Sequence, residues 1–241
     1  MCIRDRDNTL IQGSSLILLA QGLFKKRFIT LSELAPALRK QIRYRVSGSE
    51  NADDIAEGRE QALAIVKGKS VEELKQACRE IVDNRMLQKS YADTIELASI
   101  HLAAGQQVWL VSATPVQIGQ ALAETLGFTG ALGTVAEEED GKFTGRLVGD
   151  ILHGPGKKHA VAALAALQQL DLSKCTAYSD SVNDLPMLNM VGSPVAVNPD
   201  RALRKHAKAQ GWAVRDYRSV RRVVRAGVVP AVLAGAGLWW W

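Results

Sequence analysis

The feature that most constrains the fold is an alternation of strand-like and helix-like segments after residue 107. Short apolar runs typical of buried strands are followed by longer segments with helical spacing. The expected strands are residues 107–111, 175–179 and 194–197, and the expected helices are residues 115–126, 157–170, 184–190 and 201–210. Residues 131–138 and 142–148, joined at Asp140-Gly141, are expected to form a hairpin. This alternation predicts an α/β fold with a Rossmann-like, doubly wound, mainly parallel sheet and helices on both faces.

The chain before this point has a different pattern. Residues 14–89 have helical spacing and few strand signals. The residues at the expected helix starts include Ser32, Asn51 and Ser70. The 241 residues are enough for a core with a smaller inserted domain. We therefore expect residues 1–13 and 90–225 to form the sheet domain and residues 14–89 to form an inserted helical cap.

Positive charge is concentrated near the carboxyl end. The net charge is +5, yet residues 201–225 alone carry nine basic residues and one acidic residue. A basic stretch confined to one end argues against a nucleic-acid groove across the domain, so no nucleic-acid partner is expected. The cysteines are odd in number and far apart in the chain, at Cys2, Cys78 and Cys175. Their pattern favours a reducing cytoplasm over a disulfide framework or a zinc site.

The last residues form an apolar tail, residues 226–241. Fifteen residues from position 227 onward are apolar throughout, follow an arginine-rich stretch and end in three tryptophans. A helix needs roughly 20 residues to cross a bilayer, so the tail is expected to lie in one leaflet or to be part of a longer span. This favours a protein that is cytoplasmic and attached to the inner face of the cell membrane. The other interpretation is a final helix packed on the core.

Four polar segments follow expected strands or begin expected helices, where ligands bind in parallel sheets. They are Asp5-Arg6-Asp7-Asn8-Thr9, Ser112-Ala113-Thr114, Gly154-Pro155-Gly156-Lys157 and Ser179-Asp180-Ser181-Val182-Asn183-Asp184. Asp5 and Asp7 are expected on the same side of a strand, about 7 Å apart, so that one can attack while the other transfers protons. The second segment favours an anion at a helix N-terminus, and the last suits a hard, oxygen-liking cation.

In this order, the four segments resemble the four motifs of the haloacid dehalogenase superfamily, whose first motif reads Asp-x-Asp-x-Thr. The resemblance covers most of the chain and is closest to the phosphoserine-phosphatase-like subclass (IB), which has a helical cap after the first strand. The segments that carry it are DNTLIQGSS, VSATP, GPGKK, YSDSVNDLPML and PVAVNPDRALRKHAKAQGW. The resemblance implies a magnesium-dependent phosphate-monoester hydrolase that acts on a small phosphorylated metabolite through an aspartyl-phosphate.

The resemblance also implies a role for each candidate residue. Asp5 is expected to be the nucleophile and Asp7 the acid/base. Mg²⁺ is expected to bind Asp5, Asp180 and the backbone carbonyl of Asp7. The residues expected to bind the phosphoryl group are Ser112, Ala113 and Lys157, where Lys157 is preferred to Lys158 because it directly follows Gly156. The residues expected to support the site are Thr9, Asn183 and Asp184.

Two features depart from the family pattern. The first strand carries Arg4 and Arg6 where the family has apolar residues, so we expect a poor central strand and lower stability. The run Met-Cys-Ile-Arg-Asp resembles a translated sequencing adapter, and we expect it to replace the natural start. Phosphoserine phosphatases usually carry an acidic residue shortly after the first motif, where this chain has Gln12-Gly13-Ser14-Ser15. Phosphoserine is therefore not assigned as the substrate.

Other functions remain open at this level. A phosphotransferase would share Asp5 and Asp7 and differ only in the acceptor that reaches the aspartyl-phosphate. An inactive, membrane-tethered module of the same fold is favoured by the altered first strand and the basic tail. A haloacid dehalogenase proper is less favoured, because it needs neither the acid/base Asp7 nor the metal ligand Asp180.

Overall fold

A computed structural model describes residues 1–5, 9–30, 33 and 52–217 of the chain, and for Arg4 and residues 52–57 it describes the backbone only. Two predicted helix starts, Ser32 and Asn51, lie outside the described residues, as does the apolar tail. Among the described residues, no helix is both long and apolar enough to cross a membrane. The cytoplasmic location and the membrane attachment therefore stay predictions.

A six-stranded sheet and a separate two-stranded hairpin make up the strands that the structure describes. The strands are Cys2–Asp5 (β1), Val108–Pro115 (β2), Gly130–Thr134 (β3), Ala136–Glu139 (β4), Lys142–Leu147 (β5), Thr176–Ser179 (β6), Ser193–Val197 (β7) and Ala213–Arg215 (β8). The large sheet has the order β3-β2-β1-β6-β7-β8, and each of its strand pairs is parallel. The prediction of a mainly parallel α/β sheet is confirmed, and β8 is a strand that the sequence pattern did not indicate.

The strand order reverses beside β1. The chain moves outward from β1 to β2 and β3, then crosses to the other side of β1 and moves outward again through β6, β7 and β8. Arg4 lies opposite Leu110 of β2 and Tyr178 of β6, and Asp5 lies opposite Val111. In open α/β sheets, ligands bind at the carboxyl ends of the strands where the order reverses. The ends of β1, β2 and β6 are therefore the expected location of the site.

The described helices pack around the sheet, and the first begins at Ser15 and the last ends at Ala209. They are Ser15–Lys25 (α1), Ala52–Val66 (α2), Val71–Ile81 (α3), Ala92–Ala103 (α4), Val116–Thr125 (α5), Pro155–Leu167 (α6), Leu185–Leu188 (α7) and Arg201–Ala209 (α8). A π-helical turn, Val82–Met86, follows α3, and 3₁₀ turns lie at Leu87–Lys89, Leu172–Lys174 and Val182–Asp184. Ser70 caps α3 by accepting a hydrogen bond from the N–H of Glu73, which confirms the predicted helix start.

Two apolar clusters lie on opposite faces of the sheet. Successive side chains of a strand point to opposite faces. Cys2 accordingly packs in the cluster that contains Leu110 and Ile118, whereas Ile3 packs in the cluster that contains Val161 and Leu203. Both β1 side chains are fully buried. β1 thus occupies the centre of the sheet and supplies an apolar side chain to each face, and the expectation that it lowers the stability stays a prediction.

The predicted hairpin is shorter than expected. Residues 131–134 belong to β3 of the large sheet, and only β4 and β5 pair with each other. A Cβ on Gly133 would lie 2.5 Å from the Cα of Val116, so this glycine allows β3 to approach α5 closely and stay in the sheet. The turn is as predicted: Asp140 and Gly141 have φ of 48° and 74°, the left-handed values of a two-residue hairpin turn.

The hairpin contacts the helical region that was predicted to be a cap. Phe143 of β5 accepts a hydrogen bond from the N–H of Gly68 at 2.7 Å and donates its own N–H to the carbonyl of Lys69 at 3.1 Å. Phe143 is buried in the apolar cluster that also holds Leu19 of α1 and Leu74 of α3. This cluster continues into β2 and α5. The division into a sheet domain and a cap, with its boundaries, stays a prediction.

Candidate functional site

A buried lysine joins two carboxylates at the carboxyl end of the sheet. Lys157 Nζ donates hydrogen bonds to Asp5 Oδ1 and to Asp184 Oδ2, each at 2.8 Å. The three side chains are between 3% and 9% exposed. A buried charge is costly unless it is paired and hydrogen-bonded, and each of these three is. The structure therefore brings together three predicted site residues from distant parts of the chain.

The charge state of Lys157 follows from these contacts. Burial acts to lower the pKa of the Lys157 ammonium, but the charges of Asp5 and Asp184 outweigh burial and raise the pKa above its ordinary value. Lys157 therefore stays protonated at neutral pH. The site holds a fixed positive charge beside the predicted nucleophile.

The start of α6 places this lysine. Gly154 precedes the helix with φ of 50°, and Pro155 occupies the first turn, where its missing N–H costs nothing. A Cβ on Gly156 would lie 2.3 Å from the carbonyl oxygen of Ile151, so only glycine allows this close approach. Lys157 then turns inward, whereas the neighbouring Lys158 is exposed. Of the two neighbouring lysines, Lys157 is therefore the one that contacts Asp5.

The second segment leaves the regular strand ladder. The pairing of β1 with β2 ends at Asp5 opposite Val111, and the register between β2 and β3 shifts between Val111 and Pro115. Ser112, which is buried, is thus the first residue of β2 beyond the partner of Asp5. Its hydroxyl lies 3.1 Å from Thr114 Oγ1, and the carbonyl of Ala113 accepts a hydrogen bond from Thr134 Oγ1 at 2.7 Å. These bonds hold the irregular end of β2 in place next to the end of β1.

The last segment continues from the end of β6. Asp180 is the first residue after β6, and the 3₁₀ turn Val182–Asp184 follows. Ser179 Oγ donates to Asp184 Oδ2 at 2.6 Å and accepts the N–H of Ser181 at 3.2 Å. Asn183 is exposed and donates its N–H to Ser181 Oγ at 3.2 Å. Asp184 is therefore fixed by both Lys157 and Ser179.

The first motif contains two more predicted site residues, Thr9 and Asp7. Thr9 is fully buried, and its hydroxyl has no hydrogen-bond partner within the part of the chain that the structure describes. Asp7 lies outside the described residues. Its predicted roles as acid/base and as metal ligand therefore stay predictions.

The charges at the site fit the implied magnesium ion. Among the described residues, Asp5, Asp180 and Asp184 lie at or shortly after the ends of β1 and β6, and Lys157 pairs with Asp5 and Asp184. Carboxylate and carbonyl oxygens are the ligands that Mg²⁺ takes in proteins. Among the described residues, no three His, Cys, Asp or Glu side chains are close enough to form a metal site by themselves. The ligand set of Asp5, Asp7 and Asp180 thus fits in charge and chemistry and stays a prediction.

One residue of the site, Asp200, was not singled out from the sequence, and another, Ser179, was given no role. Ser179 holds Asp184, and Asp200, which follows β7, binds the loop after β6 through hydrogen bonds to Asp180 and Val182. Ser179 is the first residue of the fourth polar segment, but its type and position did not indicate this contact. Asp200 has an N-cap signal before α8, but its contact with the β6 loop depends on the pairing of β6 with β7.

Comparison with known proteins agrees with this geometry. A model of the haloacid dehalogenase-like hydrolases matches residues 2–189. The phosphoserine phosphatase SerB1 of Mycobacterium tuberculosis is 50% identical over 232 residues, which cover 96% of this chain and 75% of that protein. A histidinol-phosphatase of Neisseria meningitidis is 32% identical, over 90% of this chain and 99% of that protein. A solved structure of a protein with unknown function from Bordetella pertussis has a TM-score of 0.78 and 29% identity, over 90% of this chain and 97% of that one.

These matches include the residues that form the candidate site. The range 2–189 contains the buried lysine, both of its carboxylate partners and the loop after β6. The most similar of these relatives extends the likeness over nearly the whole chain. This protein therefore belongs to the haloacid dehalogenase-like hydrolase family.

Proposed function

We propose that this protein is a magnesium-dependent phosphate-monoester hydrolase in which Asp5 forms an aspartyl-phosphate. The observation that carries the proposal is the pair of 2.8 Å contacts from Lys157 Nζ to Asp5 and Asp184. An anionic nucleophile and an anionic phosphate repel each other, so the reaction needs positive charge beside the carboxylate that attacks. Lys157 supplies it in a buried site where electrostatic interactions are strong.

The first step forms a bond between an Asp5 carboxylate oxygen and phosphorus and breaks the bond between phosphorus and the ester oxygen. The leaving oxygen takes a proton from Asp7. The hydroxyl of Ser112, the N–H of Ala113 and the ammonium of Lys157 bind the phosphoryl oxygens during transfer. Asp184 holds Lys157 in place. The products of this step are a free alcohol and phosphorylated Asp5.

The second step releases phosphate. Asp7, now a carboxylate, takes a proton from water, and the water oxygen attacks phosphorus while the bond to Asp5 breaks. Inorganic phosphate leaves, Asp5 is again a carboxylate, and Asp7 is again protonated. Asp5, Asp180 and the Asp7 carbonyl would hold Mg²⁺, which would supply positive charge to the phosphoryl oxygens.

The proposed substrate class is a small phosphorylated metabolite. Among the relatives, one is named a phosphoserine phosphatase and another a histidinol-phosphatase. Both names describe the hydrolysis of a phosphate monoester, but with different substrates. They support the reaction class and leave the individual substrate to experiment.

The test is a screen of the purified full chain against a panel of phosphate monoesters, with and without Mg²⁺. We expect release of inorganic phosphate that requires Mg²⁺ and that vanadate and beryllofluoride inhibit. The matched variants are Asp5→Asn, which we expect to lose at least about 10³-fold in rate, and Asp93→Asn, an exposed aspartate of α4, which we expect to keep it.

Two outcomes contradict the proposal. The first is hydrolysis that persists at full rate in the presence of a chelator, and the second is equal activity of Asp5→Asn and the wild type. An alcohol acceptor is added in a parallel reaction. Phosphate found mainly on that alcohol would identify a phosphotransferase that uses the same aspartate.

A further inference from the structure

We propose that Asp200 is a positioning residue that fixes the loop carrying Asp180, and thereby sets the affinity of the site for Mg²⁺. The effect of Asp200 on catalysis rests on the proposed function. Asp200 lies after β7 and outside the four segments that the sequence singled out. The structure assigns it to the site through two hydrogen bonds, one to the carbonyl of Asp180, a predicted metal ligand, and one to the N–H of Val182.

Asp200 binds the loop after β6 at two points. Its N–H donates to the carbonyl of Asp180 at 2.8 Å. Its carboxylate oxygen Oδ2 accepts the N–H of Val182, also at 2.8 Å. A hydrogen bond to a charged acceptor is stronger than one between neutral groups. The two bonds fix the peptide units on both sides of Ser181 and therefore the direction in which the Asp180 side chain leaves the backbone.

We call the two hydrogen bonds of Asp200 to the loop after β6 the clamp. The other carboxylate oxygen of Asp200 connects the clamp to α8. Oδ1 of Asp200 accepts the N–H of Leu203 at 2.7 Å and so caps α8. The buried residues of α8 are Leu203 and Ala207, both with no exposed surface, and they pack in the cluster that contains Ile3. The loop is thus connected through a single side chain to a helix that is packed on the sheet.

Asn198 holds the turn that follows β7 and precedes Asp200. Asn198 is fully buried and has φ of 47°, a left-handed value that asparagine tolerates better than most residues. Its N–H donates to the carbonyl of Arg215 at 2.7 Å, and its side-chain oxygen accepts the N–H of Tyr217 at 2.8 Å. These bonds hold the turn, and Asp200 follows two residues later.

The clamp also affects the position of Asp184. The loop continues to Asp184, which accepts the hydrogen bond of Lys157. Movement of the loop would therefore shift a predicted metal ligand and the partner of the catalytic lysine together. A displacement of about 1 Å in a catalytic group is enough to cost about 100-fold in rate.

The variant Asp200→Ser separates the clamp from the helix cap. A serine hydroxyl at this position still caps α8, but it is too short to accept the Val182 N–H at the same time. The matched control is Asp171→Ser. Asp171 also caps a helical turn, by accepting the N–H of Ser173 at 3.0 Å, and it lies before β6, at the other end of that strand.

Two measurements that do not depend on turnover test the clamp. Amide hydrogen exchange is measured over residues 180–184 and over α8, and Mg²⁺ binding is measured by calorimetry. For Asp200→Ser we expect exchange at residues 180–184 to become at least about tenfold faster while α8 stays protected. We expect Mg²⁺ affinity to fall about 10- to 100-fold. Asp171→Ser is expected to match the wild type in both measurements.

Hydrolysis provides the third measurement. We expect the Mg²⁺ concentration for half-maximal activity to rise by the same factor as the Mg²⁺ dissociation constant, and the KM for the phosphate ester at saturating Mg²⁺ to change by less than about twofold. If Asp200→Ser does not fold, Asp200→Asn, which keeps one acceptor oxygen, replaces it in all three measurements.

Unchanged exchange at residues 180–184 would overturn the clamp. Faster exchange with unchanged Mg²⁺ affinity would overturn the positioning role, as would a wild-type chain that binds no Mg²⁺. A wild-type chain that binds Mg²⁺ but hydrolyses no ester contradicts the proposed function alone, because calorimetry still measures the effect of Asp200 on the metal.

Discussion

Lys157 Nζ lies 2.8 Å from Asp5 Oδ1, although 152 positions separate the two residues in the chain. The contact joins the end of the central strand to the first turn of α6. Lys157 also binds Asp184, so one ammonium group holds together three parts of the site. Both pairs are buried, and replacement of Lys157 removes the cation that the two carboxylates share.

Replacement of Lys157 by methionine is expected to affect both activity and stability. We expect the rate of phosphate-ester hydrolysis to fall by about 10²–10³-fold, because Lys157→Met removes the fixed positive charge beside Asp5. We expect the free energy of unfolding to fall by about 3–5 kcal/mol, because the carboxylates stay buried. Steady-state kinetics and urea denaturation measure the two effects.

Lys158→Met is the matched control for this prediction. Lys158 is the next residue of α6 and is exposed, so its replacement is expected to change the free energy of unfolding by less than about 0.5 kcal/mol. It is also expected to leave the hydrolysis rate unchanged. An equal loss of activity in the two variants would show that the contact between Lys157 and Asp5 is not the cause of the lower hydrolysis rate.

The stabilisation by Lys157 is expected to depend on pH only in the alkaline range. Burial lowers the pKa of Lys157 and the two carboxylates raise it more, so the pKa in the folded protein lies above the ordinary 10.5. A group with a raised pKa contributes its full stabilisation below the unfolded pKa and loses it as the pH rises through the folded pKa. The difference in free energy of unfolding between wild type and Lys157→Met should therefore stay constant from about pH 7 to 9 and shrink above pH 10.5.

Urea denaturation of both proteins at a series of pH values measures this difference. Subtraction of the variant from the wild type removes the contributions of groups that titrate equally in both. If the difference already shrinks between about pH 7 and 9, the pKa of Lys157 in the folded protein is lowered, and the role of the two carboxylates is contradicted.

Gly156→Ala is expected to disturb the start of α6. The added Cβ would lie 2.3 Å from the Ile151 carbonyl oxygen, so the backbone must move, and Lys157 is the next residue. We expect the free energy of unfolding to fall by about 1–3 kcal/mol and the rate of hydrolysis to fall by about tenfold or more. Thermal denaturation and steady-state kinetics measure the two changes.

Gly58→Ala is the control for this glycine. Gly58 is exposed in α2, and a Cβ there meets no atom of the described residues within 4 Å. Alanine favours the helix, so this variant is expected to gain about 0.5–1 kcal/mol of stability and to keep its activity. A Gly156→Ala variant as stable and active as Gly58→Ala would mean that the approach to Ile151 does not need glycine.

Asp7→Asn is expected to separate the two chemical steps. An asparagine can neither protonate the leaving oxygen nor activate water, so turnover should fall at least about 10²-fold. A substrate with a good leaving group, such as p-nitrophenyl phosphate, needs less protonation. With this substrate, phosphorylated Asp5 should accumulate, and mass spectrometry of acid-quenched protein detects the added phosphoryl group.

Substantial turnover of Asp7→Asn would contradict the role of Asp7. Asp5→Asn in the same experiment must show no phosphorylated residue, because the attacking carboxylate is absent. Phosphate found on another residue would show that the nucleophile was assigned wrongly.

The sequence by itself determined the sheet class and indicated the candidate site residues. Apolar runs of four to five residues reflect burial on both faces of a parallel sheet, and this signal is local. The polar residues after these runs lie at one edge because parallel strands all end there. Ser112 and Asp180 follow such runs, and they became candidate site residues before any coordinates.

Only the tertiary structure decided the contacts between these segments. The hairpin was predicted too long because local pattern does not show that Gly133 allows β3 to approach Val116 and stay in the large sheet. The three-residue β8 was missed because it is too short to have a period of its own. In the sequence, the position of Asp200 directly before a helical segment indicates only a helix cap. Its side chain also binds the N–H of Val182, because β7 pairs with β6. Local sequence does not indicate which strands are neighbours.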